Sequence, residues 1–166
     1  PDTIRTLEAY ADVIVLRHHD TGSAALAAQF AHEPIINAGD GIGEHPTQAL
    51  LDLFTILRER GRLDGLTITM LGDLKYGRTV HSLARVASLF DVRLHYVSPE
   101  MLRMPPDLVS SIHVPQTERA DLNAVLAQTD VLYVTRIQKE RFEDEAAYEA
   151  VKNSYVITPE LMQHAK

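Results

Sequence analysis

The chain has 166 residues, with 16 Lys plus Arg against 23 Asp plus Glu for a net charge of -7, 45% hydrophobic residues and no cysteine. That balance excludes a disulfide framework, a thiol nucleophile and a general polyanion binder such as a nucleic-acid-coating protein. No apolar run approaches the roughly 20 residues that span a bilayer, and Pro1 to Tyr10 lack the apolar stretch of a secretory signal, so a cytoplasmic globular protein is expected.

Taken in chain order, short β-branched runs alternate with helix-like stretches, the pattern of an α/β protein with a parallel sheet. Strands are predicted at Val13 to Leu16, Ile35 to Asn37, Thr67 to Leu71, Val92 to Val97, Val131 to Thr135 and Tyr155 to Ile157, with a weaker one at His113 to Pro115. Helices are predicted at Ala24 to Ala31, Pro46 to Arg60, Thr79 to Phe90, Leu122 to Gln128, Glu145 to Lys152 and Pro159 to Ala165, and Met104-Pro105-Pro106 reads as a turn that starts a short helix. The segment from Pro46 is the clearest: proline at the first position, then Leu50, Leu53, Phe54 and Leu57 in one stripe, then Gly61 as a stop. In the next helix Val80, Leu83, Ala84 and Ala87 form the apolar stripe.

The strands divide unevenly. Before Pro46 there are only two, too few for an independently stable sheet, whereas Leu63 to Lys166 offers four or five with their helices, enough for a doubly wound domain. The expectation is therefore a doubly wound parallel sheet over 63–166, a truncated second α/β lobe over 1–45, and a long helix over 46–62 joining them.

In open parallel sheets ligands bind beyond the carboxyl ends of the strands. Reading those positions gives Arg17-His18 after the first strand and Ala38-Gly39-Asp40-Gly41, leading to His45-Pro46-Thr47-Gln48, after the second. Gly72 to Thr79, with Arg78, follows the third, and Arg136-Ile137-Gln138-Lys139-Glu140-Arg141 follows Val131 to Thr135. An arginine fork suits carboxylate or phosphate, so three such positions point to a small ligand with several anionic groups; singly, each arginine could equally be solvated or paired with a nearby acid. His45 precedes a helix that starts with proline, so it can face a ligand near the positive end of the helix dipole, and Gln48 lies one turn on. Gly72 to Thr79 follows the P-loop spacing G-x-x-x-x-G-K-[ST] except that Arg78 replaces the lysine, which argues against nucleotide hydrolysis. His18-His19 and His32-Glu33 lack metal-ligand spacing, so no metal is expected.

Three ordered motifs carry a resemblance: N-A-G-D-G-x-x-x-H-P-T-Q-A-L-L-D from Asn37 to Asp52, G-D-L-K-Y-G-R-T-V-H-S-L from Gly72 to Leu83, and T-R-I-Q-K-E-R from Thr135 to Arg141. Across essentially its whole length the chain resembles the aspartate carbamoyltransferase family; ornithine carbamoyltransferases share H-P-T-Q, but the other two motifs resemble the aspartate branch. The wording is similar to the versions fused into eukaryotic pyrimidine multienzymes. The resemblance implies that Arg17, His45 and Gln48 hold carbamoyl phosphate, with His45 and Arg17 stabilising the developing charge, and that Arg78, Arg136 and Gln138 hold the carboxylates of L-aspartate. It implies no cofactor, a homotrimer in the full-length protein, and a role in de novo pyrimidine synthesis. The family's S-T-R-T and H-P-[LM]-P-R segments are not in these residues, so the chain is expected to be a fragment, inactive alone. His19 stands where the family commonly has proline, and Asp107 to Gln116 is shorter than usual. Two other readings stay open: a carbamoyltransferase for another amino acid, and a non-catalytic carbamoyltransferase-like assembly domain.

Overall fold

The structure is a computed structural model that describes residues 2–41, 43–142 and 144–166, with Arg141 described by its backbone alone. The first long motif, Ile42 excepted, therefore lies within the described residues, while the side chain of Arg141, which ends the third motif, lies outside them.

The first lobe opens with a helix absent from the sequence reading, α1 (Asp2–Glu8), and continues through β1 (Ile14–His18), α2 (Ser23–Ala28) and β2 (Ile35–Asp40). β1 and β2 run parallel, and their register shifts between Leu16 and His18. Such irregularities re-aim side chains, and this one falls on Arg17. α3 (Pro46–Arg60) then runs its full predicted span from an N-cap at His45 to a left-handed C-cap at Gly61.

The second lobe contains β3 (Leu66–Leu71), α4 (Arg78–Ala87), β4 (Val92–Val97), α5 (Pro106–Ser111), β5 (Gln116–Arg119), α6 (Asn123–Leu126), β6 (Val131–Val134), α7 (Glu145–Val151) and α8 (Pro159–Met162). The strands pair in parallel in the order β5-β4-β3-β6. Chain order thus runs outward from β3 through β4 to β5 and then jumps back to β6 on the other side, which makes the sheet doubly wound with its switch point between β3 and β6.

Both sheet faces are covered. On one, Leu53 and Ile56 of α3 and Val80, Leu83, Ala84 and Ala87 of α4 pack on Ile68, Met70, Leu94 and Tyr96. On the other, Leu71 and Val97 meet Leu122, Val125 and Leu126. β3 is buried along its whole length, as a central strand between helical layers should be.

Several boundaries differ from the sequence reading. Tyr155 to Ile157 is not a strand: the Tyr155 hydroxyl donates to Ala120 O at 2.8 Å while its ring packs with Leu161 against the second core, and Val156 is exposed. His113 to Pro115 is irregular, and the edge strand begins one residue later at Gln116. α3 buries Ala49, Leu53 and Ile56, whereas Leu50, Phe54 and Leu57 of the expected stripe are exposed. The small Ala49 allows α4 to approach there, so the buried stripe is rotated from the one its larger leucines suggest.

Candidate active site

The carboxyl ends of β1, β2, β3 and β6 surround one cleft of about 790 Å³ lined by Arg17, His18, His19, Asp20, Thr21, Gly41, Tyr76, Arg78 and Gln138. It lies between the lobes and beside the β3/β6 switch point, where crevices form in doubly wound sheets. Three of the six residues expected at the site, Arg17, Arg78 and Gln138, share its wall.

Arg78 is the first residue of α4, yet its side chain reaches the first lobe: Nη1 donates to Gly41 O at 2.6 Å. Its guanidinium lies over Gly39, where an added Cβ would come within 3.3 Å of three of its atoms. The glycine and its positive φ of 116° let backbone and guanidinium stack closely. The loop before α4 is closed by Tyr76 N donating to Asp73 Oδ1 at 2.9 Å.

His45 lies near the two arginines. Its burial, the charge of Arg78 and the charge of Arg17 hold its pKa below the ordinary histidine value, against an opposing pull from Asp52. The ring is therefore neutral at pH 7 and, with Thr47 Oγ1 at 3.3 Å from Nδ1, can present an N–H at Nε2. Its backbone N–H donates to Ser82 Oγ at 2.9 Å, and that hydroxyl donates in turn to Glu44, whose other oxygen pairs with Arg85 at 3.2 Å. α4 thus holds the start of α3 in place.

The remaining two expected residues stand elsewhere. Gln48 donates from Nε2 to Asp52 Oδ1 at 2.9 Å, one turn along α3. Arg136 is largely exposed and pairs with both carboxylate oxygens of Glu140, which raises its pKa. It must turn from Glu140 to reach a ligand in the cleft.

Asp40 was not singled out by the sequence reading, although it sits inside the G-D-G run. Burial pushes its pKa up, but bonds from Glu44 and Gly22 N–H, at 2.8 and 2.9 Å, outweigh this and hold it below the usual carboxylate value. It ties the loop after β1 to the loop after β2, fixing both sides of the cleft.

The sequence reading expected no metal. His18, His19 and Asp20 do bring ligand atoms within 4.8 Å of one another. Yet His18 Nδ1 already accepts from Asp20 N–H at 3.1 Å and lies 2.9 Å from Ser23 Oγ, and Arg17 stands beside the group, so the donor set suits a cation poorly.

Residues 64–166 match the model for the Asp/Orn-binding domain of aspartate/ornithine carbamoyltransferases, and residues 1–58 match the model for the carbamoyl-P-binding domain. The chain belongs to the aspartate/ornithine carbamoyltransferase family. The aspartate carbamoyltransferase catalytic subunit of Thermococcus gammatolerans is 56% identical over 168 residues, covering 99% of this chain and 54% of that protein. The multifunctional protein CAD of Squalus acanthias is 54% identical, covering 99% of this chain and 8% of that protein. The chain thus spans about half the length of the single-subunit relatives, and identity barely separates them from the multifunctional one. Among solved structures, the catalytic subunit of M. jannaschii aspartate transcarbamoylase superposes with a TM-score of 0.88 at 53% identity, over 98% of this chain and 54% of that one. Aspartate transcarbamoylase from Trypanosoma cruzi in complex with N-(phosphonacetyl)-L-aspartic acid gives 0.91 at 44% identity, over 99% and 55%. No described helix is long and apolar enough to cross a membrane.

Proposed function

We propose that the protein containing this chain transfers the carbamoyl group of carbamoyl phosphate to the α-amine of L-aspartate, giving N-carbamoyl-L-aspartate and phosphate for de novo pyrimidine synthesis. The observation that carries this reading is the shared wall of Arg17, Arg78 and Gln138 in one cleft, with neutral His45 nearby. The same carbamoyl-aspartate chemistry is supported by the bisubstrate name of the ligand bound to the Trypanosoma cruzi relative.

Arg17, His45 and Gln48 are assigned to carbamoyl phosphate, and Arg78, Arg136 and Gln138 to the aspartate carboxylates. Both substrates are anionic and repel in water, so arginines on opposing walls supply part of the rate by holding them together. The amine nitrogen then forms a bond to the carbamoyl carbon, and an oxyanion develops on the carbonyl oxygen. An N–H of His45 and the guanidinium of Arg17 stabilise it. The carbon–oxygen bond to phosphate breaks, and phosphate departs with the amine proton. No cofactor is needed for these steps.

Residues 1–45 are read as part of the carbamoyl-phosphate lobe, 46–62 as the connecting helix and 63–166 as the aspartate lobe. A cytoplasmic homotrimer, either free or within a multienzyme, fits the cysteine-free composition and the family. The test is product formation by the longer parent protein from carbamoyl phosphate with aspartate or with ornithine. Carbamoyl-aspartate is expected, with none from the 166-residue chain alone; turnover of ornithine only, or of neither amino acid by the parent, overturns the proposal.

A further inference from the structure

The segment from Gly72 to Gly77, between β3 and α4, places Tyr76 on the cleft wall and leads into Arg78, yet it belongs to no strand or helix. Such a segment is fixed only where its backbone polar groups find partners. In its first half Gly72 N–H donates to Val97 O at 3.0 Å and Leu74 N–H to Leu102 O at 3.1 Å, which anchors it to the end of β4 and the turn that follows. In its second half Tyr76 N–H donates to Asp73 Oδ1 at 2.9 Å, and the chain folds so tightly that a Cβ added at Gly77 would lie 2.5 Å from Asp73 O. Between these halves stands the Leu74 carbonyl. Leu74 is fully buried, and among the described residues no backbone N–H donates to its oxygen. The partner is a side chain instead: Nε2 of His81, half-buried and one turn into α4, lies 2.8 Å from Leu74 O. A carbonyl only accepts, so Nε2 carries the hydrogen and donates. The ring thus joins the loop to the helix that follows it, three residues after Arg78, whose guanidinium reaches Gly41 O.

We infer that His81 is a positioning residue: through Leu74 O it sets the loop that presents Tyr76 and Arg78, and so the aspartate side of the cleft. It acts from behind, since His81 is not among the residues lining the cleft. The inference rests on the proposed assignment of Arg78 to an aspartate carboxylate and deepens it, because it names what holds the approach to that arginine in one geometry. The other contacts of α4 serve a different end. Val80, Leu83, Ala84 and Ala87 pack into the core, and Ser82 accepts from His45 N–H, so they fix the helix as a body and leave the loop to its own bonds. Without the His81 donor a buried carbonyl is left unsatisfied, a cost the loop relieves by turning Leu74 O toward water. A displacement of about 1 Å in a substrate-holding group is enough to lose much of its contribution.

The experiment uses the longer parent protein with carbamoyl phosphate and L-aspartate and compares His81→Gln, His81→Asn and His81→Ala. A glutamine amide nitrogen takes roughly the place of Nε2, whereas the shorter asparagine stops near the place of Nδ1 and does not reach Leu74 O. His81→Asn and His81→Ala are expected to raise KM for aspartate about tenfold while KM for carbamoyl phosphate changes less than about twofold, and His81→Gln to restore most of the aspartate KM. Thermal midpoints of the same variants are followed by circular dichroism, because a role in stability alone lowers the midpoint without separating the two KM values. Should His81→Ala fail to fold, the comparison of Gln with Asn, which differ by one methylene, carries the test. Equal aspartate KM values in His81→Asn and His81→Gln, or a parallel rise in both KM values, overturn the inference while leaving carbamoyl transfer intact. A wild-type parent that makes no carbamoyl-aspartate removes the reading beneath it as well.

Discussion

Burial and the nearby charges of Arg78 and Arg17 hold His45 below the ordinary histidine pKa of 6.5, so the ring stays neutral at and somewhat below that pH. A neutral ring donates one N–H to a developing oxyanion without carrying its own charge, and losing a single donor of this kind commonly costs about 100-fold to 1,000-fold in kcat. His45→Ala in the longer parent is expected to show a loss of that order with a smaller change in KM. The direction of the shift also sets the pH dependence. Protonation of His45 reaches its midpoint only at the depressed pKa, so the midpoint of any acid limb of kcat due to this residue lies under pH 6.5. A histidine NMR signal that belongs to His45 and titrates at or above 6.5 contradicts this. Arg17, Arg78 and Gln138 were legible in the sequence because each follows a β-branched run where parallel sheets place their ligands. Asp40 and Ser82 were not, because each acts through half-buried bonds to a segment remote in sequence, Gly22 for Asp40 and His45 for Ser82, and Ser82 sits among the apolar residues of α4 with nothing in its spacing to mark it.

Individual elements show where pattern reading succeeds and where packing overrides it. α3 and α4 were legible because proline, glycine and a sustained 3.6-residue period agree. The face that α3 buries was not, since the small Ala49, not Leu50, fits against α4. Tyr155 to Ile157 reads as a strand because Tyr, Val and Ile favour pleated surfaces, but that preference records packing opportunity rather than an obligatory backbone shape. There Tyr155 is drawn to the second core and to Ala120. Gly72, at the end of β3, gives the sharpest test at this scale. Its φ is 120°, and an added Cβ would sit 2.1 Å from Thr135 O, at the end of the neighbouring β6. Because the clashing atom is backbone held by a hydrogen bond at the end of β3, it cannot yield cheaply. Gly72→Ala is expected to destabilise the second lobe by about 3 kcal/mol, combining left-handed strain with steric displacement of β6. Urea unfolding followed by far-ultraviolet circular dichroism measures it, and a change within about 0.5 kcal/mol contradicts the geometry.

The molecule as a whole is two unequal α/β units whose facing strand ends make a cleft neither possesses alone. Arg78 tethers α4 to the loop after β2, and the His45 to Ser82 bond ties the start of α3 to α4, so two of the residues proposed to hold substrate also make inter-lobe contacts. Stability at this scale must also answer to pH through a group the chemistry does not use. His95 lies in β4, 3% exposed, with Nδ1 buried and unpartnered. Burial, with lesser repulsion from Arg93 and Arg119, lowers its pKa below the ordinary 6.5. In the unfolded chain His95 binds a proton as pH falls through that ordinary value, while the folded chain resists until its depressed pKa is reached. The unfolded state therefore holds more protons in this window, and folding stability rises with pH. The contribution is complete above the unfolded pKa and is lost progressively as pH falls toward the folded one. One proton can tilt stability by at most about 1.4 kcal/mol per pH unit. His45 tilts the curve in the same direction, so the informative quantity is a difference. Urea midpoints measured from pH 8 to pH 5 for the wild type and for His95→Phe should converge or cross toward acid, the variant having the shallower slope. Parallel curves displaced by a constant amount would assign His95 a packing role alone, because only a titrating group can make the gap depend on pH.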